Sequence, residues 1–178
     1  MAPALPFFRY HPDPLKTGAV KATPETCICC GESRGFMYRA SVYSAADLHD
    51  KLCPWCISDG SAANKFGASF ADDGPLIQKG VPRIVVDEVT RRTPGYVSWQ
   101  QESWLAHCGD ACEFHGAASL SDIANATEQT KREWQREYEL TGEDWNEIAA
   151  HYAPGGDPAF YKFVCRHCKT TLLGWDCT

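Results

Sequence analysis

Along this chain the spacing of hydrophobic positions changes from segment to segment, and each change predicts an element. Prolines at 12 and 14 force an extended path on the stretch from Leu5 to Pro24, which should lie across the domain as a strap. The run Gly35-Phe-Met-Tyr-Arg-Ala-Ser-Val-Tyr43 is rich in aromatic and β-branched residues and predicts one strand or a short hairpin. Ser44 reads as the cap of a short helix through Leu48 and Leu52, because its oxygen can accept from the first free backbone N–H groups. A further helix is expected after Cys56, capped by Asp59 or Ser61, with Ala62, Ala63 and Phe66 as its apolar positions. The turn formers of 71–82 predict a loop and the best internal boundary. Over 83–92 the run Ile84-Val85-Val86 favours a strand, whereas Val85, Glu88, Val89 and Arg92 share a helical face, so periodicity leaves both open.

The longest helix is expected from about Ser119 to Leu140, with Leu120, Ile123, Ala124, Thr127, Trp134 and Tyr138 on its apolar face and Gly142 as its stop. Another should run from Glu143 to Tyr152. Past Pro158, the alternation Phe160, Lys162, Val164 and then Thr171, Leu173, Trp175 predicts the two strands of a hairpin. The expected class is α+β: small zinc-ribbon or knuckle-like β elements with inserted helices and two four-cysteine clusters. Residues 1–178 read as a single domain, with a first knuckle region at 25–70 and a second cysteine region at 81–178 that carries a helical insert at 119–152.

Ten cysteines supply the candidate chemistry. Cys27-Ile-Cys29-Cys30-Gly31 and Cys53-Pro-Trp-Cys56 give two Cys-x-x-Cys pairs with 22 residues between them, the spacing of a structural zinc site. Zinc binds four thiolates tetrahedrally at about 2.3 Å, and a two-residue spacer lets one tight turn aim both sulfurs at the ion. Gly31 allows the backbone angle that such a turn demands. The competing reading makes Cys53 and Cys56 the dithiol of a thiol oxidoreductase, but that motif belongs at a helix start in a βαβ unit and leaves the other pair unexplained. Cys29 is a surplus thiol, and Cys177 is read as incidental.

A second pair of pairs is Cys108-Gly-Asp-Ala-Cys112 with Cys165-Arg-His-Cys168, 52 residues apart. Its downstream half has the strand, knuckle, strand form of a zinc ribbon. The three-residue spacer of its upstream half fits a loose knuckle or a helical turn. Cys27, Cys30, Cys53, Cys56, Cys108, Cys112, Cys165 and Cys168 are therefore the expected ligands, and two zinc ions the expected cofactor. His107, His115 and His167 flank these cysteines and could each replace one. Four thiolates would make a closed structural site, whereas three protein ligands near His107 and Cys108 would leave an open position for a zinc-dependent hydrolase.

Seventeen Lys and Arg against 23 Asp and Glu give a net charge of −6, which argues against a nucleic-acid backbone as partner and leaves a protein as the expected one. The N-terminal stretch lacks the charged-then-apolar order of a signal peptide, and no segment approaches the roughly 18 apolar residues of a membrane span. A cytoplasmic protein is expected, where thiols stay reduced and bind metal. Between Arg92 and Cys108 the density of polar groups and aromatics suggests a pocket, with Glu102 as a possible base and Arg92 as an anion clamp. The plainer account makes Trp99 and Trp104 core or interface anchors.

Phe8-Arg-Tyr-His-Pro-Asp-Pro-Leu-Lys-Thr-Gly, Cys27-Ile-Cys-Cys-Gly, Leu52-Cys-Pro-Trp-Cys-Ile-Ser-Asp-Gly, Arg92-Thr-Pro-Gly-Tyr and Trp104-Leu-Ala-His-Cys-Gly-Asp-Ala-Cys together resemble the bacterial CbrC family. The resemblance runs through most of the chain to Trp175-Asp176. Its named member is associated with tolerance to a DNase colicin, so the resemblance implies a cytosolic zinc protein with a protein-binding role in stress or toxin defence. It carries over no catalytic residue.

Overall fold

The computed structural model describes residues 4–177, so that residues 1–3 of the expected domain and of its N-terminal stretch, and residue 178, lie outside the description. Residues 5–19 form the expected strap, with Tyr10 and His11 fully buried. The strap leads into β1 (Val20–Ala22), which pairs antiparallel with β2 (Phe36–Tyr38) in the register Val20↔Tyr38. The strand foreseen at 35–43 is thus shorter, and its partner lies upstream.

The helix expected from Ser44 is absent. Ser44 accepts from Ala46 N at 3.2 Å and donates to Phe66 O at 3.0 Å, so its hydroxyl serves a turn and a cross-chain bond where a helix would use it as a cap. Helix begins instead at α1 (Pro54–Ser58), with proline in the first turn, where its missing N–H leaves no gap. It continues at α2 (Ser61–Phe66), which buries Ala62 and Ala63. The expected loop at 71–82 contains α3 (Gly74–Gln78), again opened by a proline. Residues 83–92 are α4 (Arg83–Arg92), and its buried Val86, Val89 and Thr90 follow helical spacing.

Beyond α4 come the short strands β3 (Ala106–His107) and β4 (Asp110–Ala111), then β5 (Glu113–Ala117). The long helix foreseen at 119–140 is two. α5 (Leu120–Ala124) ends at Asn125, and α6 (Glu128–Tyr138) starts afresh because the Thr127 side chain accepts from Thr130 N. Glu139, at φ 54°, ends α6, so Gly142 is not its stop; Gly142 opens α7 (Gly142–His151), capped by a reciprocal Thr141–Asp144 pair. The predicted hairpin is β6 (Ala159–Val164) with β7 (Thr171–Asp176), and β5 joins it in an antiparallel sheet of order β5-β6-β7.

Period-two alternation along β6 divides the core. Tyr161 and Phe163 pack with Tyr10, Tyr96, Trp104 and Phe114, whereas Phe160 packs with Trp134, Trp145 and Leu173 beneath the helices α5–α7. A third cluster, including Phe8, Met37, Tyr38, Leu48, Leu52 and Phe70, surrounds Cys27, Cys53 and Cys56. The fold is α+β, with small antiparallel sheets and helices. One of the two expected four-cysteine clusters forms; the other mixes histidine and cysteine. No helix among the described residues is long and apolar enough to cross a membrane.

Candidate metal centres

Cys27, Cys30, Cys53 and Cys56 come together between the β1–β2 connection and the start of α1. Sulfur separations are 3.9 Å for Cys27–Cys56, 3.8 Å for Cys30–Cys53 and 3.6 Å for Cys53–Cys56. The Cys27–Cys30 half is a knuckle: Cys27 N donates to Glu32 O at 2.9 Å and Gly31 N donates back to Cys27 O at 2.8 Å. Gly31, at φ 73°, supplies the left-handed residue that this turn requires. Lys65 Nζ donates to the carbonyls of Ile28 and Cys29 on the same turn. The other half is the first turn of α1, with Cys53 in the cap position and Cys56 one turn on. Cys53 N also donates to Cys27 Sγ at 3.2 Å.

Hydrogen bonds and burial set the three buried thiols of this cluster apart. Cys27 is pulled down to about 4, chiefly by the hydrogen bond from the Cys53 side chain and further by backbone N–H donors. Cys53 is pushed up, first because it donates that bond and then by burial, and burial pushes Cys56 up to about 12. A divalent ion at the centre would supply the charge that lets the remaining thiols ionise. Cys29 stands outside the four, with its sulfur 3.6 Å from Ser61 Oγ.

The second cluster is His107, Cys108, Cys165 and Cys168. Here too one half is a knuckle, with Cys165 N donating to Thr170 O at 2.9 Å, Lys169 N to Cys165 O at 3.1 Å, and Lys169 at φ 62°. The other half is a two-residue hairpin turn between β3 and β4. Cys108 at φ 53° and Gly109 at φ 72° both take the left-handed region, as a type I′ turn requires. His107 Nδ1 lies 3.2 Å from Cys108 Sγ and 3.3 Å from Cys168 Sγ. Its Nε2 faces Glu133 of α6 at 3.9 Å. The Thr170 hydroxyl, 3.2 Å from Cys168 Sγ, heads the hydrogen bonds that hold that thiol down at about 6.

Cys112, expected as the fourth ligand, is not in this cluster. It is fully buried in the core with Trp104 and Phe114, and its carbonyl accepts from Trp104 Nε1 at 2.9 Å. Strand alternation explains the exchange, because Cys112, Phe114 and Gly116 face inward while His115 and Ala117 face out. That alternation was a sequence signal for a core Cys112, and His-Cys-Gly was one for a turn that presents His107. His167 is engaged elsewhere. Its Nε2 lies 2.9 Å from Asp110 Oδ2, which also receives Arg166 Nη1 at 3.1 Å, while Asp110 Oδ1 accepts from Tyr10 Oη and Ala111 N, each at 2.9 Å. One buried carboxylate thus ties the β3–β4 turn to the knuckle. His115 pairs with Glu113 at 3.2 Å.

Neither Glu102 nor Arg92 reaches a cluster residue. Glu102 is buried, its pKa raised by desolvation, and its Oε1 has no hydrogen-bond partner among the described residues. Arg92 Nε donates to Ser58 O at 2.9 Å. Trp104 is a core anchor, but Trp99 is 55% exposed.

With both clusters placed, comparison supplies the relatives. The profile of an uncharacterised protein family, UPF0167, matches residues 5–177. The chain belongs to the UPF0167 family. It is 47% identical to the UPF0167 protein PA1536 of Pseudomonas aeruginosa over the full length of both. It is 40% identical to the UPF0167 protein Mb2317 of Mycobacterium bovis over 97% of this chain and 93% of the relative, and equally to the UPF0167 protein MT2352 of Mycobacterium tuberculosis. No solved structure matches. The CbrC assignment drawn from the cysteine strings is corrected by these matches to UPF0167. Colicin tolerance and a toxin-defence role, which rested on that assignment, go with it.

Proposed function

We propose that this UPF0167 protein is a zinc-binding protein whose two ions are structural: one held by Cys27, Cys30, Cys53 and Cys56, the other by His107, Cys108, Cys165 and Cys168. The observation that carries the reading is the spacing of the donor atoms. A tetrahedron of thiolates about 2.3 Å from zinc has edges of about 3.8 Å, against sulfur separations of 3.6, 3.8 and 3.9 Å in the first cluster. A zinc–nitrogen distance of about 2.0 Å shortens the mixed edge to about 3.5 Å, against 3.2 and 3.3 Å at His107. Donor chemistry supports zinc, because soft sulfur with a single imidazole in a tetrahedral set suits that ion.

Four protein donors at each site leave no coordination position for a substrate, so the metals act by holding chain segments together. Each ion joins a knuckle to a distant segment, one on either side of the boundary at 71–82. Thiolate sites persist where thiols stay reduced, which supports a cytoplasmic location for this reading. Metal analysis with X-ray absorption at the zinc edge tests the reading. About two zinc ions per chain are expected, with an average shell of roughly three and a half sulfurs and half a nitrogen. A chain purified without metal, or with iron in place of zinc, would overturn it.

A further inference from the structure

A cavity of about 280 Å³ lies beside the three-stranded sheet and shares no residue with either cluster. Its floor is aromatic. Tyr96 stacks on Phe114 with ring centroids 4.2 Å apart and planes 14° from parallel, and Tyr161 lies 5.0 Å from Tyr96. A register shift in β5 between Phe114 and Ala117 opens the wall, with Gly116 at φ 96°. A Cβ at Gly116 would stand only 3.2 Å from Thr17 Cγ2 on the same wall, so the bare glycine keeps that space clear.

At the rim, Val97 and Trp99 are 57% and 55% exposed. Their loop is nevertheless pinned: Trp99 N and Gln100 N both donate to Asp176 Oδ2, at 2.6 and 3.1 Å, and the Gln100 side-chain amide donates to Cys177 O. Two large apolar side chains held in water beside a concave apolar floor mark a ligand site more than an idle surface. None of the lining residues carries a charge. A charged ligand would therefore lose hydration with nothing to replace it, whereas a flat ring would stack.

We infer that this cavity binds a small uncharged aromatic compound, with the exposed Trp99 ring as the surface it stacks on and the buried Tyr96–Phe114 pair as the apolar floor beneath it. The test uses N-phenyl-1-naphthylamine, an uncharged probe whose emission rises in apolar surroundings, titrated into the full-length metal-loaded protein. Saturable one-to-one binding is expected. Trp99→Ala, which removes the stacking surface, and Ala117→Leu, which narrows the mouth, should each weaken it by about tenfold, the equivalent of one lost side-chain contact. Trp99→Phe should keep most of it. The sulfonated analogue 8-anilinonaphthalene-1-sulfonate should bind at least about tenfold more weakly for lack of a charge partner. Both positions are exposed, so circular dichroism should show each variant folded. Unsaturable binding, variants that bind like the parent, or a sulfonate that binds as tightly as the neutral probe would each overturn the inference.

Discussion

At Cys27–Cys30 and at Cys165–Cys168 the chain builds the same turn twice. In each, the first cysteine's N–H reaches the carbonyl five residues on, the residue after the last cysteine bonds back to the first, and that residue is left-handed. The clusters differ in what meets the knuckle. The first is met by the start of α1 and sinks into its own hydrophobic cluster, with Cys27, Cys53 and Cys56 buried. The second is met by a two-residue turn, and Cys108 and Cys168 are exposed. Burial makes three of the first cluster's four cysteines part of a core, whereas the second cluster gives only Cys165 to the core beneath its sheet. The same turn should therefore carry different weight in the two places.

Mutation of one cysteine in each knuckle gives the largest contrast. Cys53→Ser removes a buried thiol of the proposed first site, and structural zinc in small modules contributes about 10–16 kcal/mol of apparent binding energy, comparable with the whole stability of a domain. Its first region should lose cooperative unfolding in a thermal scan. Cys168→Ser should release one zinc per chain while the sheet and the first region stay folded. Equal damage from both would erase the distinction.

Acid offers a second way to separate the regions. His11 is fully buried against the core that also holds Cys165, its ring edge-on to Phe114, with Nδ1 2.8 Å from Pro94 O and Nε2 2.6 Å from Thr17 Oγ1. Burial lowers its pKa from 6.5 to about 4. The folded state therefore binds fewer protons than the unfolded one between those values. Stability from this group is fully present above pH 6.5 and is lost as pH falls to 4, by about 1.4 kcal/mol per unit and on the order of 3 kcal/mol in all. Urea unfolding in excess zinc at pH 7, 6 and 5 should show this slope in the parent and a flatter one in His11→Asn. Parallel slopes would remove His11 as the cause.

How far the chain could be read before folding differs between the same two regions. The first cluster was legible because both its pairs have two-residue spacers, and a local turn or a first helical turn suffices to place each. The second needed a choice between Cys112 and His107, and spacing alone pointed to Cys112, whereas the fold brings His107 beside the other three donors. The alternation of 112, 114 and 116 runs from just before β5 into it; it is present in the sequence, but which of its two faces points inward is fixed only once β6 is beside it. Ser44 and Thr127 show the same limit in the helices. Each is a good cap by type, but Thr127 finds the free N–H of Thr130, whereas Ser44 is drawn to Phe66 O across the chain. Helix spacing over 119–140 could not reveal the restart at Thr127, since both halves face the same core.

The choice between His107 and Cys112 as donor can itself be tested, with smaller effects. His107→Ala should leave the second zinc with three protein donors and water in the fourth position, so that under a competing chelator bound zinc falls from about two to about one per chain. Cys112→Ser should keep both ions and instead cost about 1–3 kcal/mol in urea unfolding, as a hydroxyl is buried among apolar neighbours. The reverse pattern would restore Cys112 as the ligand.

Asp110→Asn probes what holds the second cluster's halves together before any metal arrives. Asp110 accepts from Tyr10, from its own neighbour's backbone and from Arg166 and His167, so its charge is lowered in pKa by named donors even though burial opposes this. An amide keeps the shape but has only one acceptor oxygen, and it loses the charge-assisted bonds to the knuckle. Removing a partner from a mostly buried, hydrogen-bonded charge costs about 1–3 kcal/mol. That loss should appear locally, as faster transfer of the second zinc to a chromophoric chelator with no change at the first. Uniform acceleration at both sites would mean that the carboxylate supports the whole fold, and unchanged release would mean that the metal alone holds the turn to the knuckle.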